Sequence, residues 1–205
     1  NFRITAPRDW VVSSNGVLES EVSDPTDSNI VKRVFAPTER ISTYITAVLA
    51  GEYFTVTDTY KPQSITNSGD IPLVAYCRHS LKPHFDYDNI FRVTKNGLDF
   101  FQDLFDYPYP YPKYEQAFVP EYNIGAMENP GLVTFTEDFI FVSGATEDDL
   151  EGRANTICHE MAHMWFGDLV TMKWWDDLWL KESFADFMGA LGAIEANGFN
   201  DAWVT

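Results

Sequence analysis

The period of the apolar residues changes near Arg78, and this change constrains the fold more than any other feature of the chain. Before Arg78, apolar and polar residues alternate over short runs, the spacing of half-buried strands. After it they recur every three or four residues, the spacing of helices. Asn1-Phe2-Arg3-Ile4-Thr5 alternates until Ala6-Pro7, and Trp10-Val11-Val12-Ser13-Ser14 stops at Asn15-Gly16, a strong turn dipeptide. Residues 30–35 and 44–57 are rich in Val, Ile, Thr, Tyr and Phe and read as strands. The polar residues 20–29 read as a loop. A turn at 66–70 leads into a last strand over 71–77. The chain is expected to be α+β. A β-rich region occupies residues 1–78, and a region of strands and helices occupies 79–205.

Past the change of period, Leu98, Phe101, Leu104 and Phe105 predict a helix over residues 96–105. Tyr107-Pro108-Tyr109-Pro110-Tyr111-Pro112 cannot be helical, because each proline lacks a donor and restricts its predecessor, so it reads as an ordered connector. Residues 114–119 read as a strand and 132–141 as extended. Two helices follow. The first starts after Thr146, with Glu147, Asp148 and Asp149 at the positive end of the dipole, and stops at Gly167. Its stripe is Leu150, Ala154, Ile157, Met161 and Met164. The second runs from about residue 181 to 196, with Leu180, Phe184, Phe187, Met188, Leu191 and Ile194 on one side.

Composition narrows the function classes. With 45% hydrophobic and 16% aromatic residues, the 205-residue chain is not intrinsically disordered. Its longest apolar runs are too short for a membrane-spanning helix. The formal net charge of −17 repels phosphate backbones and argues against a nucleic-acid partner. Cys77 and Cys158 are too few for a disulfide framework and read as small buried hydrophobes, consistent with a reducing compartment. No charged-then-apolar leader opens the chain, and the expected location is cytoplasmic.

The chemistry concentrates in His159-Glu160-Met161-Ala162-His163, inside the first closing helix. Residues four apart share a face, so both imidazoles reach one ion, while Glu160 stands about 100° away and approaches a water on that ion. After eighteen intervening residues past His163, the second helix offers Glu182 in its first turn. Two nitrogens and one oxygen suit a zinc ion that keeps an open position. Taken alone, Glu182 is better explained as a first-turn carboxylate favoured by the helix dipole. His79 and His84 read as surface histidines, and Trp174 and Trp175 as packing between the helices. Asp168 either orients a metal-binding histidine or makes a helix-terminal hydrogen bond.

His159-Glu160-x-x-His163, eighteen residues, then Glu182 resembles the gluzincin metallopeptidases. Upstream, Gly125-Ala126-Met127-Glu128-Asn129 resembles the exopeptidase signature of the aminopeptidase N family. Pro130-Gly131, the run from Met164 to Thr171 and Trp175-Asp176-Asp177-Leu178-Trp179-Leu180 strengthen the likeness, which is densest over residues 118–190. The resemblance implies that residues 1–78 are the end of an antiparallel β domain and 79–205 part of a thermolysin-like lobe with a mixed sheet, carrying one Zn²⁺ per chain held by His159, His163 and Glu182. It implies that Glu160 is the general base, and that Glu128 receives the α-ammonium of a peptide with a free N-terminus. The Gly125-Ala126 backbone then pairs with the substrate as an added strand, with Met127 and Asn129 completing the substrate-binding stretch. The alternatives within this reading are a zinc endopeptidase and a non-catalytic peptide-binding scaffold. Three departures stand out. The family's transition-state tyrosine falls beyond residue 205, and upstream groups that help hold the amine are missing. Lys181 replaces the usual asparagine beside the zinc glutamate. A segment of a longer polypeptide is expected, with activity depending on parts outside it.

Overall fold

The computed structural model describes residues 1–63 and 69–203. In chain order it contains β1 (Arg3–Pro7), β2 (Val11–Ser14), β3 (Leu18–Ser23), β4 (Ile30–Phe35), β5 (Val48–Gly51), β6 (Tyr53–Tyr60) and β7 (Ile71–Arg78). There follow α1 (Tyr87–Phe105), β8 (Tyr114–Val119), β9 (Ala126–Met127), β10 (Val133–Thr136), α2 (Glu147–His163) and α3 (Leu178–Glu195). Residues 66–68 of the turn expected at 66–70 lie outside the described residues. No helix among the described residues is long and apolar enough to cross a membrane.

The strands form three sheets. One has the order β1-β4-β3, a second pairs β2 with β5, and a five-stranded sheet has the order β6-β7-β8-β10-β9. In the five-stranded sheet β7, β8 and β10 run parallel, with Leu73 opposite Tyr114 and Val133 opposite Gln116. The edge strands β6 and β9 are antiparallel to their neighbours. The mixed α+β class therefore agrees with the sequence. Parallel β7 and β8 require a long crossover, and α1 supplies it. The sheet joins strands on both sides of residue 78, so the change of period there marks the end of β7 and the crossing into α1, and not a break between separate sheets.

Burial on both faces explains the near-continuous apolar run of β7. Leu73, Ala75 and Cys77 join Phe118, Phe135, Ile90, Leu98, Phe101, Ile157 and Met161 in the main core under the helices. On the opposite face Tyr76, Ala117 and Leu132 pack against Ala47 and Leu49 from the β2–β5 side. A buried polar cluster ties the same faces together. Lys113 Nζ donates to Ser14 O at 2.7 Å and pairs with Glu115 at 3.0 Å, and Tyr76 donates to Glu115 Oε2 at 2.9 Å. Every member has a partner, the condition under which a buried polar network is tolerated.

Several local expectations need correction. Residues 18–23 are strand β3, polar because every residue in it is exposed while its backbone pairs with β4. The stretch 44–57 is divided: a 3₁₀ turn at Thr43–Ile45, then β5 and β6, which belong to different sheets. Helix α1 starts at Tyr87, nine residues before the predicted start, because Ile90, Phe91 and Val93 already face the core. The Tyr-Pro connector is ordered as expected, with Tyr109 buried and its hydroxyl donating to Lys113 O at 3.0 Å.

The largest correction concerns α3. Its buried face is Lys181, Ala185, Gly189, Ala190, Gly192 and Ala193, while Leu180 and Phe187 of the predicted stripe are more than half exposed. Small residues let α3 approach α2 closely. A Cβ on Gly189 would lie 2.7 Å from Asn155 Oδ1, and one on Gly192 would lie 3.1 Å from Cys158 Cβ. This close packing of α2 and α3 sets the geometry of the site.

Candidate active site

Helix α2 begins as its sequence directs. Thr146 accepts from Asp149 N at 3.1 Å, and Asp149 Oδ2 accepts from Thr146 N at 2.8 Å, a reciprocal capping box. Ala154, Ile157, Met161 and Met164 are buried, as the stripe predicts. His159 and His163 then project from the last turns of α2 toward α3, which starts at Leu178, so that Glu182 is its fifth residue and lies just past the first turn expected for it. Their Nε2 atoms are 3.1 Å apart, and Glu182 Oε2 lies 3.7 Å from His159 Nε2 and 3.5 Å from His163 Nε2.

The other nitrogen of each ring is engaged. His159 Nδ1 lies 3.1 Å from Asp186 Oδ1, and His163 Nδ1 lies 3.0 Å from Phe166 O. An N–H at each Nδ1 satisfies those acceptors and leaves both Nε2 lone pairs facing each other and the Glu182 carboxylate. Three lone-pair atoms pointed at one spot repel unless a cation lies among them. Ligands on a tetrahedral zinc are about 3.4 Å apart for bonds of about 2.1 Å, close to the three separations here. The donor set therefore fits a divalent ion; the pairing of the two histidines was legible from their spacing, whereas Glu182 entered the set only through the family resemblance. Asp186 was not singled out, although its position four residues after Glu182 puts it one turn along the same helix.

Two further carboxylates crowd the same nitrogens. Oxygens of Glu160 and Glu128 come within 4.8 Å of histidine nitrogens in the groupings His159–Glu160–His163 and Glu128–His163–Glu182. Glu160 is buried, its Oε2 has no hydrogen-bond partner, and burial pushes its carboxyl up to about 8. Hydrogen bonds to His159 and then His163 hold Glu182 well below the usual carboxylate range. Burial pulls His159 down, but the Glu182 contact together with the charges of Glu160 and Asp186 outweighs it, and the net shift is upward.

Glu128 follows the short edge strand β9 and is 4% exposed. Lys181 Nζ donates to Glu128 Oε1 at 2.6 Å and to Glu182 Oε1 at 2.5 Å, and Tyr44 donates to Glu128 Oε1 at 2.9 Å. Burial pushes Glu128 upward, but the nearby His163 and Lys181 outweigh it and hold the carboxyl below its ordinary value. Neither Tyr44 nor the engagement of Lys181 was visible in the sequence, because they depend on segments far apart in the chain.

The remaining signature residues are placed as follows. Gly125 is exposed, and a Cβ there would meet nothing within 4 Å. Ala126 and Met127 are β9, which pairs with β10 on one side and forms the edge of the sheet. Asn129 is turned inward, its amide donating to Thr134 Oγ1 at 3.0 Å, so it braces the loop. Asp168 fits neither role expected of it: it is buried and both its side-chain oxygens lack a partner. Trp174 is 69% exposed and does not pack between the helices, whereas Trp175 meets Tyr44 edge-on at 5.4 Å. His79 and His84 are exposed, as expected.

A pair of histidines one helical turn apart, a carboxylate from the next helix and a buried free carboxyl beside them are the donor arrangement that metal-dependent hydrolases use. Residues 90–204 match the Peptidase family M1 domain. The chain belongs to this family of peptidases. It is 48% identical over 206 residues to an aminopeptidase N of Streptomyces lividans, covering 100% of this chain and 23% of that protein. It is 36% identical over 196 residues to the human aminopeptidase N, covering 94% of this chain and 20% of that protein. The tricorn protease-interacting factor F2 of Thermoplasma volcanium is 39% identical over 169 residues, covering 80% of this chain and 19% of that protein. The chain thus spans less than a quarter of the length of these relatives.

Proposed function

We propose that this chain carries the zinc centre of an aminopeptidase that removes N-terminal residues from peptides, built on a thermolysin-like lobe. The observation that carries the reading is the convergence of His159 Nε2, His163 Nε2 and Glu182 Oε2 at mutual separations of 3.1, 3.7 and 3.5 Å. These three residues hold the zinc. When bound, the ion supplies Lewis acidity toward water and toward the scissile carbonyl.

The residues of the chain do the rest. Glu160 is the general base: its buried carboxyl takes the proton of the attacking water and passes it to the leaving amine. Its carboxyl is buried beside the two histidines, and its Oε2 has no hydrogen-bond partner among the described residues, which leaves it free to take up that proton. The edge of β9 offers backbone groups to an extended peptide, and the open space at Gly125 lets the substrate backbone come close. Glu128, at the end of that edge, receives the α-ammonium. Glu128 and Glu182 already bracket one ammonium, that of Lys181, which supports a cation as the natural occupant of this corner. The substrate amine competes with Lys181 for the same carboxylate oxygens.

An endopeptidase with the same zinc chemistry has no ammonium to bind and no use for a buried Glu128 at the end of the edge strand. A non-catalytic scaffold has no use for a buried, unpartnered Glu160. In the full-length protein, Glu128→Ala is expected to raise KM or lower kcat for peptides with a free amine. Equal cleavage of N-acetylated and free peptides by the unaltered protein overturns the exopeptidase reading.

A further inference from the structure

Tyr44 reaches the amine corner from the N-terminal strands, 84 residues before Glu128. Its hydroxyl donates to Glu128 Oε1 at 2.9 Å, its ring stands edge-on to Trp175 at 5.4 Å, and Lys181 Nζ lies 5.2 Å from the ring centroid. Burial and then the charge of Glu128 push the phenol upward, so it remains a proton donor at any working pH.

One buried amide sets both ends of this contact. Asn15 Nδ2 donates to Ile45 O at 2.9 Å, next to Tyr44, and to Pro130 O at 3.0 Å, two residues after Glu128. Its Oδ1 accepts from Ala47 N at 2.9 Å, so the segment that directly follows Tyr44 is held through both a carbonyl and an amide. A glutamate side chain has three rotors, and fixing them costs conformational entropy. Tyr44 and Lys181 meet that cost before substrate arrives, but Lys181 is itself shared with Glu182 and competes with the substrate amine. The phenol is the neutral donor of the pair and stays in place when a substrate ammonium arrives.

We propose that Tyr44, seated by Asn15, is a positioning residue that orients Glu128 for recognition of the substrate α-ammonium. This rests on the assignment of Glu128 made above. Tyr44→Phe keeps the ring and its contacts and removes only the hydroxyl. The probes are alanine hydroxamate and propionohydroxamate, two zinc-directed inhibitors that differ only in the α-amine, tested on the metal-loaded full-length protein. Tyr44→Phe is expected to weaken alanine hydroxamate about tenfold and to leave propionohydroxamate within about twofold. KM for an alanine anilide rises by a similar factor with kcat nearly unchanged, the signature of lost uniform binding. Equal weakening of both hydroxamates indicates a general structural role and overturns the proposal. An unchanged ratio in Tyr44→Phe, with the ratio lost in Glu128→Gln, overturns the role of Tyr44 while the assignment of Glu128 stands. An unchanged ratio in Glu128→Gln removes that assignment and the proposal together.

Discussion

Asp186 Oδ1 lies 3.1 Å from His159 Nδ1, one helical turn beyond the glutamate that faces the other nitrogen of the same ring. The carboxylate fixes the tautomer and the orientation of the imidazole, and in the proposed zinc site it raises the basicity of His159 as a ligand. Asp186→Asn is expected to weaken zinc binding by about tenfold to a hundredfold, measured by competition against a chromogenic chelator. His163→Ala serves as the reference and should lose the metal altogether. Equal zinc content in His163→Ala and the unaltered protein removes the assigned site.

Lys181 and Glu128 are 7% and 4% exposed, so removing one charge strands the other in the interior. For the metal-free chain, Lys181→Met is expected to cost about 3 kcal/mol in urea denaturation. Adding Glu128→Gln should recover part of that loss, because the stranded carboxylate is gone. If the double variant is no more stable than the single one, the pair is not coupled as its 2.6 Å separation requires.

The Glu160 carboxyl titrates near 4.5 when unperturbed and is lifted by burial to about 8 in the fold. Between those values the unfolded chain has released a proton that the folded chain retains. The folded state therefore binds more protons, and the stability of the metal-free chain falls as pH rises through this window. The upper bound on the effect is about 5 kcal/mol. Glu160→Gln lacks this loss, so its stability relative to the unaltered chain should improve from pH 5 to pH 8. A constant difference across that range contradicts the burial argument.

Gly131 follows the Glu128 loop with φ of 76°, and a Cβ there would sit 2.3 Å from Asn15 O. Both the left-handed backbone and the contact oppose any side chain. Gly131→Ala should lower stability by about 3 kcal/mol, read from thermal unfolding. Gly125→Ala, with nothing within 4 Å of the added carbon, should change stability by less than about 0.5 kcal/mol. Since Gly125 is proposed to let the substrate backbone approach, the same variant should still impair peptide cleavage in the full-length protein. Similar stability losses in both variants would contradict the packing described around them.

Local patterns determined much of this protein. The capped start of α2 at Thr146, the buried stripe through Ile157 and Met161, and the pairing of His159 with His163 all follow from residues within one or two turns of each other. Such features are legible because helix geometry relates neighbouring residues without reference to the rest of the chain. Strand β3 was hidden for the opposite reason: with every residue exposed it shows no alternation, and only its pairing with β4 reveals it. The face of α3 was misread because size, and not hydrophobicity, decides which side fits against a helix as near as α2. Gly189 and Gly192 mark that side, although Leu180 and Phe187 are more apolar. Tertiary structure alone brought Tyr44 to Glu128 and Asn15 to Pro130, across 84 and 115 positions of sequence. Contacts at such separation depend on how three sheets and three helices stack, and no periodicity in the chain encodes them.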